Sequence, residues 1–174
     1  MESFKQAEDL GYKKGSKMFA LAVRPILGLG QEKLDRRRQC LRSLGFSENQ
    51  ILDIWRKKPS SLGITEEKIK RNVDFVVKTA GIPLADLVKY PNLFEYSVET
   101  RMIPRYRVME ALKSIQVQAQ APTKKGKKEG LSFVQIFIMP ENRFLEQYVN
   151  SNAESSALIL DIYHGRREIW KADH

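Results

Sequence analysis

Apolar side chains in the central part of the chain recur in short runs at helical spacing, and proline or glycine separates the runs. A first run covers residues 51–55 and stops before Pro59, and a longer run covers residues 69–80 and stops before Gly81. Apolar residues three and four positions apart lie on one face of an α-helix. The pattern therefore predicts a short and a long amphipathic helix, and the same order begins again after Gly81.

Glycine and proline mark this order at a nearly constant interval. The glycines are 34 and 36 residues apart and the prolines 34 and 32 residues apart, at Gly11, Gly45 and Gly81 and at Pro25, Pro59 and Pro91. Proline cannot continue a helix because it lacks an N–H donor, and glycine accommodates the positive φ that often follows a helix C-terminus. The sequence therefore predicts a repeat of a short helix, a proline turn, a long helix and a glycine.

Hydrogen-bonding side chains stand where the predicted helices begin. Ser47 with Gln50 three residues later matches a capping box, and Thr65 and Ser97 are candidate N-caps of the long helices. Pro83 suits the first position of a helix, where its missing N–H is not needed. We expect helices over residues 16–24, which Pro25 ends, over residues 31–44, 47–58, 66–80, 84–90 and 98–115, and in two segments after Pro140.

One helix pair cannot cover its own apolar stripe, so we expect neighbouring pairs to stack. The predicted fold class is all-α, with right-angled helix-pair repeats of period about 34 stacked as an α-solenoid. Residues 1–116 would hold about three repeats, the first one incomplete, followed by a flexible basic loop over residues 117–130 and a helical cap over residues 131–174. Periodicity alone leaves the apolar run 131–139 open between helix and strand, and its helical neighbours favour a helix.

The charge balance favours a polyanionic partner. The 174 residues include 30 Lys and Arg against 21 Asp and Glu, which gives a formal net charge of +9. Such an excess points first to nucleic acid and second to an anionic membrane surface, and the alternative is a soluble basic protein without such a partner. No apolar stretch approaches the roughly 20 residues that span a bilayer, so we expect no membrane partner.

Few residues could carry catalysis or hold a metal. Cys40 is the single cysteine, and both histidines, His164 and His174, lie near the C-terminus. No nucleophile accompanies Asp161 and His164, and no glycine-rich phosphate loop precedes a helix. We therefore expect no enzyme activity, no catalytic or metal site and no small-molecule cofactor. The acidic residues among the first ten also argue against a transit peptide at this N-terminus.

Basic residues recur on the predicted long helices at the interval of the repeat. Arg37, Arg71 and Arg105 are each 34 residues apart. Equivalent positions of a stacked array form a row, and guanidinium groups can hold phosphates with two N–H donors each. We expect this row to follow a nucleic-acid backbone, together with further candidate residues beside it and in the basic loop: Arg36, Lys70, Arg101, Lys124, Lys125, Lys127 and Lys128.

Two alternatives to this nucleic-acid surface stay open at the level of sequence. The arginines could belong to solvated helix faces, paired with acids such as Asp35, Glu67 and Asp74. The lysines of the loop could belong to a solvated linker. A register error of one residue between repeats would also disturb the row.

The order and spacing of several short motifs resemble the mitochondrial transcription termination factor family (mTERF), in its large plant branch. The resemblance covers roughly residues 10–165. The motifs are Leu44-Gly45-Phe46-Ser47 with Ile51 and Ile54, Pro59 with Leu62, Glu66-Glu67-Lys68-Ile69, Tyr90-Pro91 with Leu93-Phe94, Ile103-Pro104-Arg105-Tyr106, residues 143–149, and Ile162-Tyr163-His164-Gly165.

This resemblance implies a fold and a function. The fold would be an all-α array with two α-helices and a short 3₁₀ turn per repeat, coiled as a left-handed superhelix. The function would be binding of DNA or RNA in mitochondria, or alternatively chloroplasts, in transcription termination or initiation or in RNA splicing and processing. With about three repeats and no transit peptide, the chain resembles an N-terminally truncated member, which we expect to be a monomer. The alternative function is a protein-binding α-solenoid scaffold without direct nucleic-acid contact.

Overall fold

The computed structural model describes residues 2–118, 132–150 and 156–167, and every regular element within these ranges is helical. This confirms the predicted all-α class. The α-helices are α1 (Glu2–Asp9), α2 (Lys17–Ser43), α3 (Glu48–Lys57), α4 (Glu66–Asp74), α5 (Leu84–Lys89), α6 (Ile103–Gln118), α7 (Phe133–Ile138), α8 (Glu141–Phe144) and α9 (Ser156–Tyr163). Shorter elements connect or extend them, as 3₁₀ turns at Pro59–Gly63 and Pro91–Phe94 and as π segments at Phe75–Thr79, Val98–Met102 and Leu145–Val149.

The predicted caps start the helices of the repeat. The Ser47 hydroxyl accepts a hydrogen bond from the Gln50 N–H at 3.3 Å, and the Gln50 side chain accepts one from the Ser47 N–H at 2.9 Å. This is the predicted capping box of α3. The Thr65 hydroxyl accepts from the Lys68 N–H at the start of α4. A proline-initiated 3₁₀ turn follows each of the short helices α3 and α5.

Two proline predictions are corrected. Helix α2 runs through Pro25, and its non-helical residue is Gly30, with φ 71° and ψ 161°. Proline removes one backbone hydrogen bond, but Val23 and Ile26 on either side of it are buried, and this packing holds the helix together. Pro83 is the N-cap of α5, with ψ 141°, so it stands one position before the first helical residue. The apolar run 131–139 contains helix α7, as its neighbours suggested.

The chain divides into two compact units, an N-terminal unit, Met1–Tyr96, and a C-terminal unit, Ser97–His174. Trp55 and Phe94 are among the largest buried side chains of the N-terminal unit, and Phe137 and Phe144 among those of the C-terminal unit. Each unit therefore has a core of its own, in which aromatic and aliphatic side chains from the apolar faces of its helices are buried.

Candidate nucleic-acid interface

Arg37 lies inside the N-terminal unit. Its side chain is buried on α2 with 7 % of its surface exposed, and one guanidinium N–H group donates to the Leu62 carbonyl of the following 3₁₀ turn. Burial lowers the pKa of the Arg37 guanidinium, and the carboxylate of Glu66 opposes this effect. The cation therefore joins two elements of the fold and is not presented to solvent.

Arg105 has the same role in the C-terminal unit. It is fully buried at 0 % exposure, and its Nη1 donates to the carbonyls of Ile136 at 2.7 Å and Met139 at 2.6 Å. Its Nη2 pairs with the Glu141 carboxylate, and the guanidinium lies over the Phe144 ring, 4.8 Å from the centroid. Buried charges need such partners, because desolvation of an unpaired ion is costly.

Arg101 also holds the end of α7. Its Nε donates to the Phe137 carbonyl at 2.9 Å, and its Nη2 donates to the Met139 carbonyl at 2.7 Å. The two arginines, one helical turn apart, together hold the last carbonyls of a helix, where no intrahelical partner exists. Arg101 and Arg105, the two predicted phosphate-binding side chains of the C-terminal unit that the structure describes, therefore bind backbone oxygen.

In the middle repeat, the equivalent interior position belongs to Asn72 and not to Arg71. Asn72 is fully buried, and its Nδ2 donates to the carbonyls of Leu93 at 2.7 Å and Tyr96 at 2.8 Å. Arg71 is the preceding residue of α4 and is exposed. We name Arg37, Asn72 and Arg105 the clamp residues, because each donates from a long helix to backbone carbonyl groups further along the chain in the same unit. Their spacing of 35 and 33 residues replaces the uniform interval of 34 that the sequence suggested.

One group of exposed cations in the N-terminal unit lies on the two helices α2 and α4. Arg36 of α2 pairs with Glu32 at 2.9 Å and with Glu66 of α4 at 3.7 Å, so its side chain lies between the two helices. Lys70 and Arg71 are exposed on α4, and Lys33 is exposed one turn before Arg36. We name Lys33, Arg36, Lys70 and Arg71 the basic ridge.

Sequence reasoning identified three members of the basic ridge and missed Lys33. Its spacing of three residues from Arg36 was the available signal, because residues three apart on a helix share a face. The ridge is not uniformly positive, since the carboxylates of Glu32 and Glu66 lie beside Arg36. The predicted loop lysines, Lys124, Lys125, Lys127 and Lys128, lie outside the described residues.

The described residues do not include a reactive cysteine or a group of metal ligands. Cys40 is buried, and burial raises the pKa of its thiol, which disfavours the reactive thiolate. Within the described ranges, no three His, Cys, Asp or Glu side chains are grouped as metal ligands. Nor is any described helix both long and apolar enough to cross a bilayer.

Comparison with known proteins gives two matches. A family model described as mTERF matches residues 19–126, which is more than half of the chain and includes the clamp residues and the basic ridge. An Arabidopsis thaliana protein named "Transcription termination factor MTERF2, chloroplastic" is 31% identical over 67 residues. These are 38% of this chain and 10% of that relative, so the matched part spans about a tenth of the relative's length.

Proposed function

We propose that this chain, which belongs to the mTERF family, binds nucleic acid and regulates gene expression in an organelle. The process that we propose is transcription termination. One observation carries the proposal: the basic ridge lies inside the segment that the family model matches. The printed name of the Arabidopsis relative favours the chloroplast over the mitochondrion.

In this proposal the helix pairs stack as an α-solenoid, and the chain acts as a monomer whose basic ridge follows a phosphate backbone. The exposed side chains of the ridge can reach phosphate oxygens, whereas the clamp residues support the helices from inside. Contacts of this kind set the position of the protein on the nucleic acid and carry no sequence information directly. Either duplex DNA or RNA would satisfy them.

The ion pairs within the ridge do not prevent phosphate binding. Arg36 and its partner Glu32 are both exposed, with 50% and 85% of their side-chain surface accessible. Exposed pairs of this kind contribute only about 0–1 kcal/mol, so a phosphate can replace the carboxylate. Lys33 and Lys70 form no hydrogen bond or ion pair with the residues described by the structure, and both can turn toward a ligand.

A salt titration tests the interface. The dissociation constant for duplex DNA and for single-stranded RNA is measured at several salt concentrations, for the unchanged chain and for the triple variant Lys33→Gln, Arg36→Gln and Lys70→Gln. Each lost phosphate contact should reduce the slope of log affinity against log salt by about 0.9 on duplex DNA, because fewer counterions are released on binding. The variant should therefore bind more weakly and respond less to salt.

A second triple variant controls for net charge. Lys5→Gln, Lys13→Gln and Lys17→Gln remove three exposed cations from the same unit outside the ridge. This variant should keep most of the salt slope. Equal losses in the two triple variants, or an affinity of the unchanged chain that does not depend on salt, would contradict the proposed interface.

A further inference from the structure

A groove with an aliphatic floor lies within the N-terminal unit, between the end of α2 and one face of α4. Its volume is about 670 Å³. The residues that line it come from the end of α2, from α4 with its π segment, and from the start of α5, and they are Ser43, Leu44, Lys70, Arg71, Val73, Asp74, Val77, Lys78 and Leu84. A volume in this range is typical of a ligand site.

The floor of the groove is suited to apolar side chains. Leu44, Val77 and Leu84 are only half-buried, and Val73 is buried between them and the core. Covering this partly exposed aliphatic surface would stabilise a complex through the hydrophobic effect. None of the described lining residues is aromatic, so the groove offers no ring on which a nucleic-acid base could stack.

The rim of the groove is basic. Three of the lining residues are cations, Lys70, Arg71 and Lys78, and one is an acid, Asp74, which pairs with Lys78 across one turn of the helix. Both members of that pair are exposed, so the pair is weak and can exchange partners. Lys70 and Lys78 are eight residues apart on a helical stretch that continues from α4 into the π segment, which places them about two helical turns apart. Two turns of an acidic helix would match that distance.

We propose that this groove docks an acidic amphipathic helix of a partner protein. Apolar side chains at positions i, i+3 or i+4, and i+7 of that helix fill the floor, in the helix-in-groove mode of recognition. Carboxylates on either side of its apolar stripe face Lys70, Arg71 and Lys78, and this complementarity selects acidic over basic helices. The docking goes beyond nucleic-acid binding and does not depend on it.

The test uses a synthetic peptide of about 15 residues with leucine at the three anchor positions and glutamate beside them. Fluorescence anisotropy of the labelled peptide measures its binding to the full chain. Saturable binding is expected, with an affinity lowered at least about tenfold when the glutamates are replaced by lysines or the leucines by serines. Equal binding of all three peptides would overturn the proposal.

Variants of the chain locate the site. Leu84→Glu places a charge on the floor, at the first residue of α5, where the helix dipole favours an acidic side chain and the fold should persist. Leu27→Glu is the matched control, at a leucine of α2 with 64% of its surface exposed outside the groove. Binding of the peptide should fall about tenfold in the first variant and stay unchanged in the second. Similar affinities in both variants would overturn the assignment of the groove.

One more variant tests the charge of the rim, and binding of DNA and RNA tests whether the groove is separate from the nucleic-acid interface. Lys78→Gln, which lies outside the basic ridge, should weaken peptide binding several-fold by removing one rim cation. Leu84→Gln removes part of the aliphatic floor without adding a charge beside Lys70 and Arg71. It should weaken peptide binding and leave the affinity for DNA and RNA unchanged, so the groove and the proposed function can fail independently. If Leu84→Gln instead reduces binding of single-stranded RNA, the floor of the groove accommodates nucleic acid and the peptide proposal is overturned.

Discussion

The side-chain amide of Asn72 holds the carbonyl groups of Leu93 and Tyr96 inside the N-terminal unit. Arg37 and Arg105 hold carbonyls in the same way from the other long helices. A buried carbonyl that loses its donor retains the full cost of its desolvation, so these side chains matter for stability beyond the bonds they form. Their contribution can be measured most cleanly at Asn72, which carries no charge.

Asn72→Ala should lower the free energy of unfolding by about 2 kcal/mol, since it leaves the buried Leu93 carbonyl and the part-buried Tyr96 carbonyl without this donor and opens a small cavity. Urea unfolding followed by circular dichroism measures the change. Asn49→Ala, at an exposed position of α3, is the matched control and should stay within about 0.5 kcal/mol of the unchanged chain. A similar small effect of both substitutions would show that Asn72 does not have this role.

Tyr12 gives the stability of the chain a dependence on alkaline pH. Its hydroxyl donates to the Trp55 carbonyl at 2.5 Å, and burial raises its pKa above the ordinary value of 10.0, with the nearby Arg56 opposing the shift. A raised pKa means that the folded chain keeps its proton where the unfolded chain releases it. The stabilisation is therefore complete below pH 10 and is lost as the pH rises above it.

We expect the free energy of unfolding to fall above pH 10 by up to about 1.4 kcal/mol per pH unit from this residue. Unfolding by urea between pH 8 and pH 11 would measure it. Tyr12→Phe should remove this part of the slope, whereas Tyr90→Phe, at an exposed tyrosine, should retain it. Parallel pH profiles for the unchanged chain and Tyr12→Phe would contradict the assignment.

The sequence predicted which positions recur but not which of them face inward. Arg37 and Arg105 have the spacing of the repeat, and that spacing is equally compatible with a surface row and with an interior role. Consecutive residues of a helix are turned by about 100°, so a one-residue difference in register exchanges exposed Arg71 for buried Asn72. Only the packing of α4 against its neighbours sets that register.

The starts and ends of helices could be predicted only where they depend on residues close by in the sequence. The cap at Ser47 acts through residues three positions away and was found from the sequence alone. The sequence analysis predicted that a helix ends at Pro25, and this prediction was wrong. The effect of a proline depends on whether packing compensates for the lost hydrogen bond. The actual break is Gly30, whose φ of 71° and ψ of 161° lie in a region that is essentially restricted to glycine.

Two glycines of α2 should respond in opposite directions to the same substitution. Gly30→Ala should destabilise the chain by about 1–3 kcal/mol, since an alanine is strained at that φ and ψ. Gly28→Ala should stabilise it by about 0.4–1 kcal/mol, because Gly28 has no positive φ and an added Cβ meets no atom within 4 Å. Thermal and urea unfolding of both variants would measure the difference. The same sign of change for both would contradict the break at Gly30.

For the whole molecule, the order and spacing of short motifs predicted the family, and the net charge favoured a polyanionic partner, but neither predicted which cations are exposed. The net charge of +9 is distributed over the chain, and several cations bind carbonyls or carboxylates of the protein itself. Which cations remain for a ligand depends on the tertiary fold. The basic ridge and the groove could therefore be delimited only after the helices were placed.

The clamp residues have a consequence for any shortened form of this protein. Arg105 lies inside the segment that matches the family model, whereas the carbonyls that it holds belong to Ile136 and Met139, beyond residue 126 where that match ends. A chain cut at residue 126 would leave a guanidinium without its acceptors in an apolar interior. Expression trials should therefore retain the polypeptide at least through α8.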